Sequence, residues 1–450
     1  MTETIYALSS GSLPAGVAVI RLSGPQTRTV LVKLAGLLPE PRQAVLRRLK
    51  NPGSGDLLDE ALVLYFQAPK SFTGEDVAEL HCHGGRAVVA AVLETLSGQT
   101  GCRPAEPGEF TRRAFYNGRL DLTEVEGLSD LIASETEMQR KQALRQMSGA
   151  LGSLYEGWRK RLIQMRAMIE ADFDFADEED VPGSVADEVW READALASEI
   201  NIHLKKSRNA ERIRSGIQVV LMGAPNAGKS SLMNALAGRD VAIVTEEAGT
   251  TRDIIEVHLD LFGYPVTLVD TAGLRETEGL VEREGIRRAL DRGRGADLVL
   301  WLEEPGGLAF TDADPELLGG VESAGVPIWN LKTKQDHLGI DMRDLAEVDA
   351  GILVSTQAQD GLEALLKKLA VFAEQSISIG ESPLATRDRH RYLLEECGKA
   401  LAQAVANTHF PPELRAEDLR KAAVCLGTIT GRIDVEDLLD VIFRDFCIGK

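Results

Sequence analysis

The spacing of hydrophobic and polar residues changes three times along this 450-residue chain. Residues 1–118 carry short β-type runs ("GVAVIRL", "EALVLYF"), an alternating run ("DVAELHC") and a helix-spaced run ("RAVVAAVLETL"). Gly and Pro punctuate them at "SGP", "NPGSG" and "AEPGEF", which predicts a small α/β unit. Residues 119–214 predict long helices. Thr123 and Glu126 have the T-x-x-E spacing of a capping box, and Leu128, Leu131 and Ile132 follow at helical spacing. Leu151, Leu154, Tyr155, Trp158, Leu162, Met165 and Ile169 continue that rhythm. The acidic run "ADFDFADEEDVPGS" interrupts it and reads as a solvated turn rather than a metal site.

Residues 215–375 change texture again. The runs "IQVVLMG", "VTLVDTAG", "ADLVLWL", "VPIWNLKTK" and "GILVS" each precede a loop and usually a helix, the pattern of a doubly wound parallel sheet. Residues 376–450 return to helix. A compact domain with neighbouring termini can sit inside another, so the two helical segments are expected to pack together around an inserted α/β domain.

Composition narrows the class. Hydrophobic residues make up 44% and charged residues 27%, an ordinary globular balance. A formal net charge of −20 disfavours a broad phosphate-gripping surface, so any nucleic acid is expected to be held mainly by a more basic partner. Five scattered cysteines without a C-x-x-C pair suit a reducing cytosol. No signal peptide is apparent, and no apolar run approaches a membrane span. Cys447, four residues from the last, has the spacing of a prenylation box, but Gly449 and Lys450 fit that box poorly. An inert helix-end thiol, a redox partner and a reactive group delivered to another site stay open.

"GAPNAGKS" fits G-x-x-x-x-G-K-[ST], with a strand run before it and a helix run after it. Backbone amides across Asn226, Ala227, Gly228, Lys229, Ser230 and Ser231 would wrap phosphate oxygens at a helix N-terminus. Lys229 would neutralise the outer phosphates, and Ser230 would ligate Mg2+. "DTAG" supplies Asp270, Thr271, Ala272 and Gly273 at a strand end, with Asp270 holding Mg2+ through water. Thr251 in "GTTRD" is the switch threonine expected to complete the metal shell. In "TKQD" (Thr333, Lys334, Gln335, Asp336), the Asp336 carboxylate would accept the paired N–H groups of guanine, which adenine cannot offer. Ser355, Thr356 and Gln357 match the loop behind the base more weakly. Four motifs in this order read as a GTPase domain. Leu274 stands where Ras-like switches place the water-orienting Gln, so another group must do that work.

The ordered set "GAPNAGKSSLMNALAG", "VTEEAGTTRD", "DTAGLRE", "VEREGIRRA" and "FCIGK" resembles the MnmE (TrmE) family of tRNA-modifying GTPases. So do "FTGEDVAELHCHGG" and "PGEFTRRAFYNGRLDL". The resemblance implies an α/β folate-binding and dimerisation domain, an all-α helical domain, and a Ras-like P-loop α/β GTPase domain inserted into the helical one. It implies that Asn226, Thr245, Glu247 and Thr250 hold K+, with Glu246, Ala248 and Gly249 completing the nucleotide-binding loop. Glu282, by itself a solvated helix residue, becomes the water-positioning carboxylate. Arg21, Glu79, Arg119 and Lys450 become the site for formyl-tetrahydrofolate, with 5,10-methylene-tetrahydrofolate as donor. Arg119 replaces a usual Lys. His81 and His83 read as structural or pocket-lining rather than metal ligands.

If Lys450 reaches that pocket, Cys447 arrives beside it, either as a nucleophile or as lining. Thr333 departs from the family's Asn; it keeps a hydroxyl but lacks the bridging amide, so weaker nucleotide binding is expected, with guanine choice kept through Asp336. The implied partners are a second copy, a flavoprotein of the MnmG/GidA type carrying FAD in a heterotetramer, and tRNA. The implied place is the cytoplasm. A second reading is a potassium-dependent regulatory GTPase that binds RNA in ribosome assembly without modification chemistry. Wobble-uridine analysis in cells lacking the protein separates the two.

Overall fold

The computed structural model describes residues 3–174, 185–224, 226–239, 241–243, 256–270, 293–304, 325–333, 352–355, 361–377, 385–433, 436–444, 446 and 448–449. Strands β1 (Thr4–Leu8) and β2 (Ala15–Ser23) are followed by helix α1 (Thr27–Ala35). Next come β3 (Val45–Lys50), β4 (Leu57–Phe66), β5 (Val77–Gly84), α2 (Arg86–Ser97), β6 (Cys102–Pro104) and α3 (Glu109–Tyr116). The sheet order is β3-β4-β5-β2-β1-β6, antiparallel except for the parallel β1–β6 pair. Strand alternation sends Ile20, Leu22, Leu80 and Cys82 into a core against α1 and α2. It leaves Arg21, Glu79 and His81 on the opposite face, with Arg21 directly across from Glu79.

The next helices are α4 (Leu122–Ile132), α5 (Glu137–Met147), α6 (Ala150–Asp174) and α7 (Val185–Ser215). The capping box of α4 falls two residues earlier than expected. Asp121 Oδ1 accepts from the Glu124 N–H (2.9 Å), and Glu124 Oε2 accepts from the Asp121 N–H (2.7 Å). Thr123 and Glu126 are buried instead, at 0% and 1% exposure. An aspartate two residues upstream wins because its carboxylate is the stronger cap. Leu151, Tyr155, Trp158, Leu162, Met165 and Ile169 are all buried, the three-four spacing of a packed helix seam.

The second sheet uses β7 (Ile217–Gly223), β8 (Glu256–Leu261), β9 (Tyr264–Asp270), β10 (Leu298–Glu303), β11 (Ile328–Lys332) and β12 (Ile352–Leu353), with α8 (Lys229–Ala237) and α9 (Leu362–Ser376) against it. Its order is β12-β11-β10-β7-β9-β8, parallel except for the antiparallel β8–β9 hairpin at the edge. Helices α10 (Asp388–Ala406), α11 (Pro412–Thr430) and α12 (Glu436–Arg444) finish the chain, and α11 lies along α6.

Contacts divide the chain into two compact units. One comprises residues 1–129, 146–193 and 399–450; the other comprises 130–145 and 194–398. The second sheet lies wholly in the latter. Among the described residues, no helix is long and apolar enough to cross a membrane.

Candidate functional site

In the second unit, β7 ends at Gly223 and α8 begins at Lys229, which places the intervening loop at the C-terminal edge of a parallel strand. Asn226 holds a left-handed turn (φ 65°), the conformation in which short polar side chains replace glycine at least cost. Lys229 is 8% exposed and donates to the Gly223 and Ala224 carbonyls, both at 2.9 Å. Burial pushes its ammonium below the usual range, and Asp270 opposes that shift. Ser230 Oγ donates to Asp270 Oδ2 at 3.1 Å, so the loop serine and the acidic strand end meet. Two hard oxygens converging beneath a phosphate loop are the donor set Mg2+ takes.

Thr333, at the end of β11, is 4% exposed, and its hydroxyl donates to the Ala227 carbonyl at 2.7 Å. The tie from the base-side strand to the phosphate loop therefore exists without the missing amide. Ser355 follows β12 and is buried. Thr245 to Thr251, Thr271 to Gly273, Glu282, Lys334 to Asp336, Thr356 and Gln357 lie outside the described residues.

In the first unit, Glu79 joins two partners. Its Oε1 accepts from Arg21 Nε (3.1 Å) and Nη2 (3.0 Å), and its Oε2 lies 3.2 Å from His81 Nε2. The Arg21 guanidinium carbon also sits 5.7 Å from the Phe72 ring centroid and 5.8 Å from that of Phe110. Those aromatic walls were missed in the sequence, although Phe72 and Phe110 stand inside "FTGED" and "PGEF". Arg119 is exposed, with its aliphatic stem beside Gly74, two residues from Phe72.

Behind this loop, Arg113 (1% exposed) donates to Glu109 Oε1, Glu75 Oε2 and the Glu3 carbonyl, each at 2.9 Å. Ser23 Oγ donates to the same Glu75 oxygen at 2.7 Å. A buried guanidinium thus fixes the loop that carries Phe72. His83 pairs with Asp59 at 2.8 Å rather than with His81. Cys82 points into the core, where burial pushes its thiol up to about 12.

The end of the chain comes to the same sheet. Ile448 bridges Pro107, and Ser9 Oγ donates to the Gly449 carbonyl at 2.8 Å. Gly449 has φ +99°, and a Cβ there would overlap the Leu8 carbonyl. Ser9 lies two residues beyond Ala7, the residue paired with Arg21 across β1–β2. Cys447 and Lys450, on either side of this docked pair, lie outside the described residues.

A phosphate loop between strand and helix, its lysine and serine, and an aspartate ending the neighbouring strand together define a P-loop nucleotide-hydrolase site. Comparison with known proteins makes the class specific. A family profile described as GTP-binding protein TrmE N-terminus matches residues 4–119, and one described as MnmE helical domain matches residues 122–447. The "tRNA modification GTPase MnmE" of Rhizobium meliloti is 53% identical over 450 residues, covering 100% of this chain and 99% of that protein. The protein of the same name from Parvibaculum lavamentivorans is 53% identical over 453 residues, covering 100% of both. The chain belongs to the MnmE family of tRNA modification GTPases. Solved structures with partial likeness include Aquifex aeolicus Era bound to GDP.AlF4- (21% identity, TM-score 0.28, 41% of this chain and 66% of that one). Another is the G domain of the T. maritima FeoB transporter (27% identity, TM-score 0.24, 35% of this chain and 98% of that one).

Proposed function

We propose that this GTPase is potassium-dependent and works with an MnmG/GidA-type flavoprotein to add an aminomethyl or carboxymethylaminomethyl group to the wobble uridine of certain tRNAs. The one-carbon unit comes from a tetrahydrofolate held by Arg21, Glu79, Arg119 and Lys450. The observation that carries this reading is the docking of Ile448–Gly449 on the strand beside the Arg21–Glu79 pair. It favours delivery of Lys450, and with it Cys447, to one pocket. Arg21 and Arg119 supply positive charge for a carboxylate tail, and Glu79 supplies an acceptor for the N–H edge of a pterin.

A second copy of the chain suits the same face. Val17 pairs directly with His83, Leu62 with His81 and Leu46 with Leu62, and Val17, Leu62 and Leu46 are 56%, 37% and 59% exposed. Ser230, Asp270 and Thr251 would hold Mg2+. Asn226, Thr245, Glu247 and Thr250 would hold K+, which supplies positive charge against the transferring phosphate, work that Leu274 cannot do. Glu282 would position the attacking water, and GTP hydrolysis would drive the closing and opening of domains rather than the covalent step. FAD belongs to the partner, which also carries much of the tRNA contact, in keeping with the −20 charge. The cytoplasm is the expected place.

GTP turnover in potassium and in sodium tests the cation, and equal rates would refute it. Nucleoside mass spectrometry of tRNA from cells carrying Glu79→Ala tests the folate site. The modified wobble uridine is expected to be lost, and normal levels would remove the reading.

A further inference from the structure

Glu79 and His81 share the open face of β5, a strand paired along its two sides with β2 and β4. A strand held on both edges fixes where these side chains start, so only their torsions stay free. The last torsion of a glutamate is the loosest, because the carboxylate turns about its bond to the methylene with a broad, two-fold preference. An acceptor that must meet one ligand N–H therefore has to be held at both oxygens.

Arg21 holds only one of them. Its Nε and Nη2 both donate to Glu79 Oε1, at 3.1 and 3.0 Å, a fork closed on a single atom about which the other oxygen can swing. His81 supplies the second point, with Nε2 at 3.2 Å from Oε2. A carboxylate is acceptor-only and offers about four lone-pair sites, so the Nε2–H donates. Arg21 fills the sites on Oε1 and His81 fills one on Oε2, which leaves an acceptor site on Oε2 beside the imidazole.

Nothing else in the described residues claims this ring. Its side chain has no other hydrogen bond among them, and its direct cross-strand neighbours, Val19 and Leu62, are aliphatic. His83 is taken by Asp59, and Cys82 faces the core. At 29% exposure the His81 side chain is neither a core group nor a solvated one.

We propose that His81 is a positioning residue that sets the plane of the Glu79 carboxylate, so that Oε2 keeps one acceptor site for the ring-amide N–H of a reduced pterin. The proposal rests on the reading that this face holds a tetrahydrofolate, and it names the residue that makes the face select a 4-oxo ring. In a 4-amino ring the nitrogen at that edge carries a lone pair in place of the hydrogen. A fixed acceptor rejects that ring, and a swinging one tolerates it.

The test is calorimetric titration of the full-length protein with 5-formyl-tetrahydrofolate and with its 4-amino counterpart. The wild type is expected to prefer the 4-oxo ligand at least about thirtyfold. His81→Leu puts an aliphatic side chain beside Val19 and Leu62. It is expected to bind the 4-oxo ligand about 5- to 20-fold more weakly and the 4-amino ligand within about twofold of the wild type. His81→Gln returns an N–H donor near the Nε2 position and is expected to bring the preference back to within about threefold. Melting temperatures of the three proteins are expected to agree.

A wild type that binds neither ligand would overturn the folate reading itself. A wild type that binds both alike would overturn the selection and, with it, the role of His81. Where the wild type does select, a leucine variant with the full preference would overturn the role of His81 alone. Equal weakening toward both ligands would overturn it too, because the residue would then only shape the pocket. A glutamine variant as unselective as leucine would overturn the donor role.

Discussion

Replacing Thr333 with valine tests the tie between the base-side strand and the phosphate loop. The two side chains have nearly the same shape, so the change deletes one O–H and little else. That hydroxyl is buried, donates to Ala227 at 2.7 Å, and has a longer second acceptor in Glu303 at 3.3 Å. The Glu303 carbonyl keeps its bond from the Thr333 N–H at 2.8 Å, so the cost concentrates on Ala227. Ala227 is 1% exposed, and water cannot easily replace the lost donor. Leaving a buried carbonyl without its donor costs about 1–3 kcal/mol. Falling on the loop that wraps the phosphates, this is a loss of about 5- to 150-fold in nucleotide affinity.

Displacement of a fluorescent guanine nucleotide measures that affinity, and urea unfolding separates it from general destabilisation. Thr333→Ser, which keeps the hydroxyl, is expected to bind within about threefold of the wild type. Valine binding as well as threonine would show that the bond does not hold the loop in its binding form. A uniform loss of stability without loss of affinity would refute the reasoning in the same way.

Three other perturbations follow from the geometry. Arg113→Leu leaves the Glu75 carboxylate behind the Phe72 loop without its cation, while Glu109 keeps Arg103, and is expected to cost about 3–5 kcal/mol, read as a lower urea midpoint. Burial, with His390 and Lys206 nearby, holds His203 down at about 4. The unfolded chain takes up this proton near pH 6.5 and the folded chain only near 4, so stability is highest above pH 6.5 and falls as pH drops between those values. The loss totals about 3 kcal/mol, and His203→Gln is expected to flatten the acid limb of stability against pH. Gly449→Ala forces a side chain into a left-handed position against Leu8 and is expected to weaken tetrahydrofolate binding by about 1–3 kcal/mol in a direct titration, with the melting temperature unchanged.

What the sequence made legible follows from how close in the chain the cooperating residues are. The loop from Asn226 to Ser231 and the acidic strand end at Asp270 carry their chemistry at fixed covalent spacing, so a strand-loop-helix pattern located them. The same holds for the seam from Leu151 to Ile169. The α4 cap was misread because T-x-x-E and D-x-x-E overlap in "DLTEVE", and the T-x-x-E match was taken without weighing the stronger aspartate cap two residues upstream. The Arg21–Glu79 pair is 58 residues apart in sequence, and only the β2–β5 register brings it together. The docking of Gly449 against Ser9 spans 440 residues. Family resemblance put Arg21, Glu79 and Lys450 in one pocket but gave neither of these contacts, because periodicity carries no information about such distant partners. The bond from the Met138 N–H to the Gly263 carbonyl in the β8–β9 turn (3.1 Å) had no signal at all, since a backbone donor and a backbone carbonyl leave nothing in the side-chain pattern.

The two sites hold their cations differently, and this bears on how each takes its ligand. Lys229 rests on the carbonyls of Gly223 and Ala224, which are neutral acceptors that a phosphate outcompetes because it brings full charge to a buried ammonium. Binding there exchanges partners, so the phosphate loop must shift its lysine. Arg21 rests on a carboxylate and between two aromatic rings, partners that an incoming ligand has no means to replace at a profit. A ligand on that face adds to an arrangement already fixed by Arg113 behind it. The nucleotide site is therefore the one whose occupancy moves protein groups, and the N-terminal face is the one that holds its shape. That division of labour suits the function proposed above, with a nucleotide turned over at one site and a reactant held in place at the other.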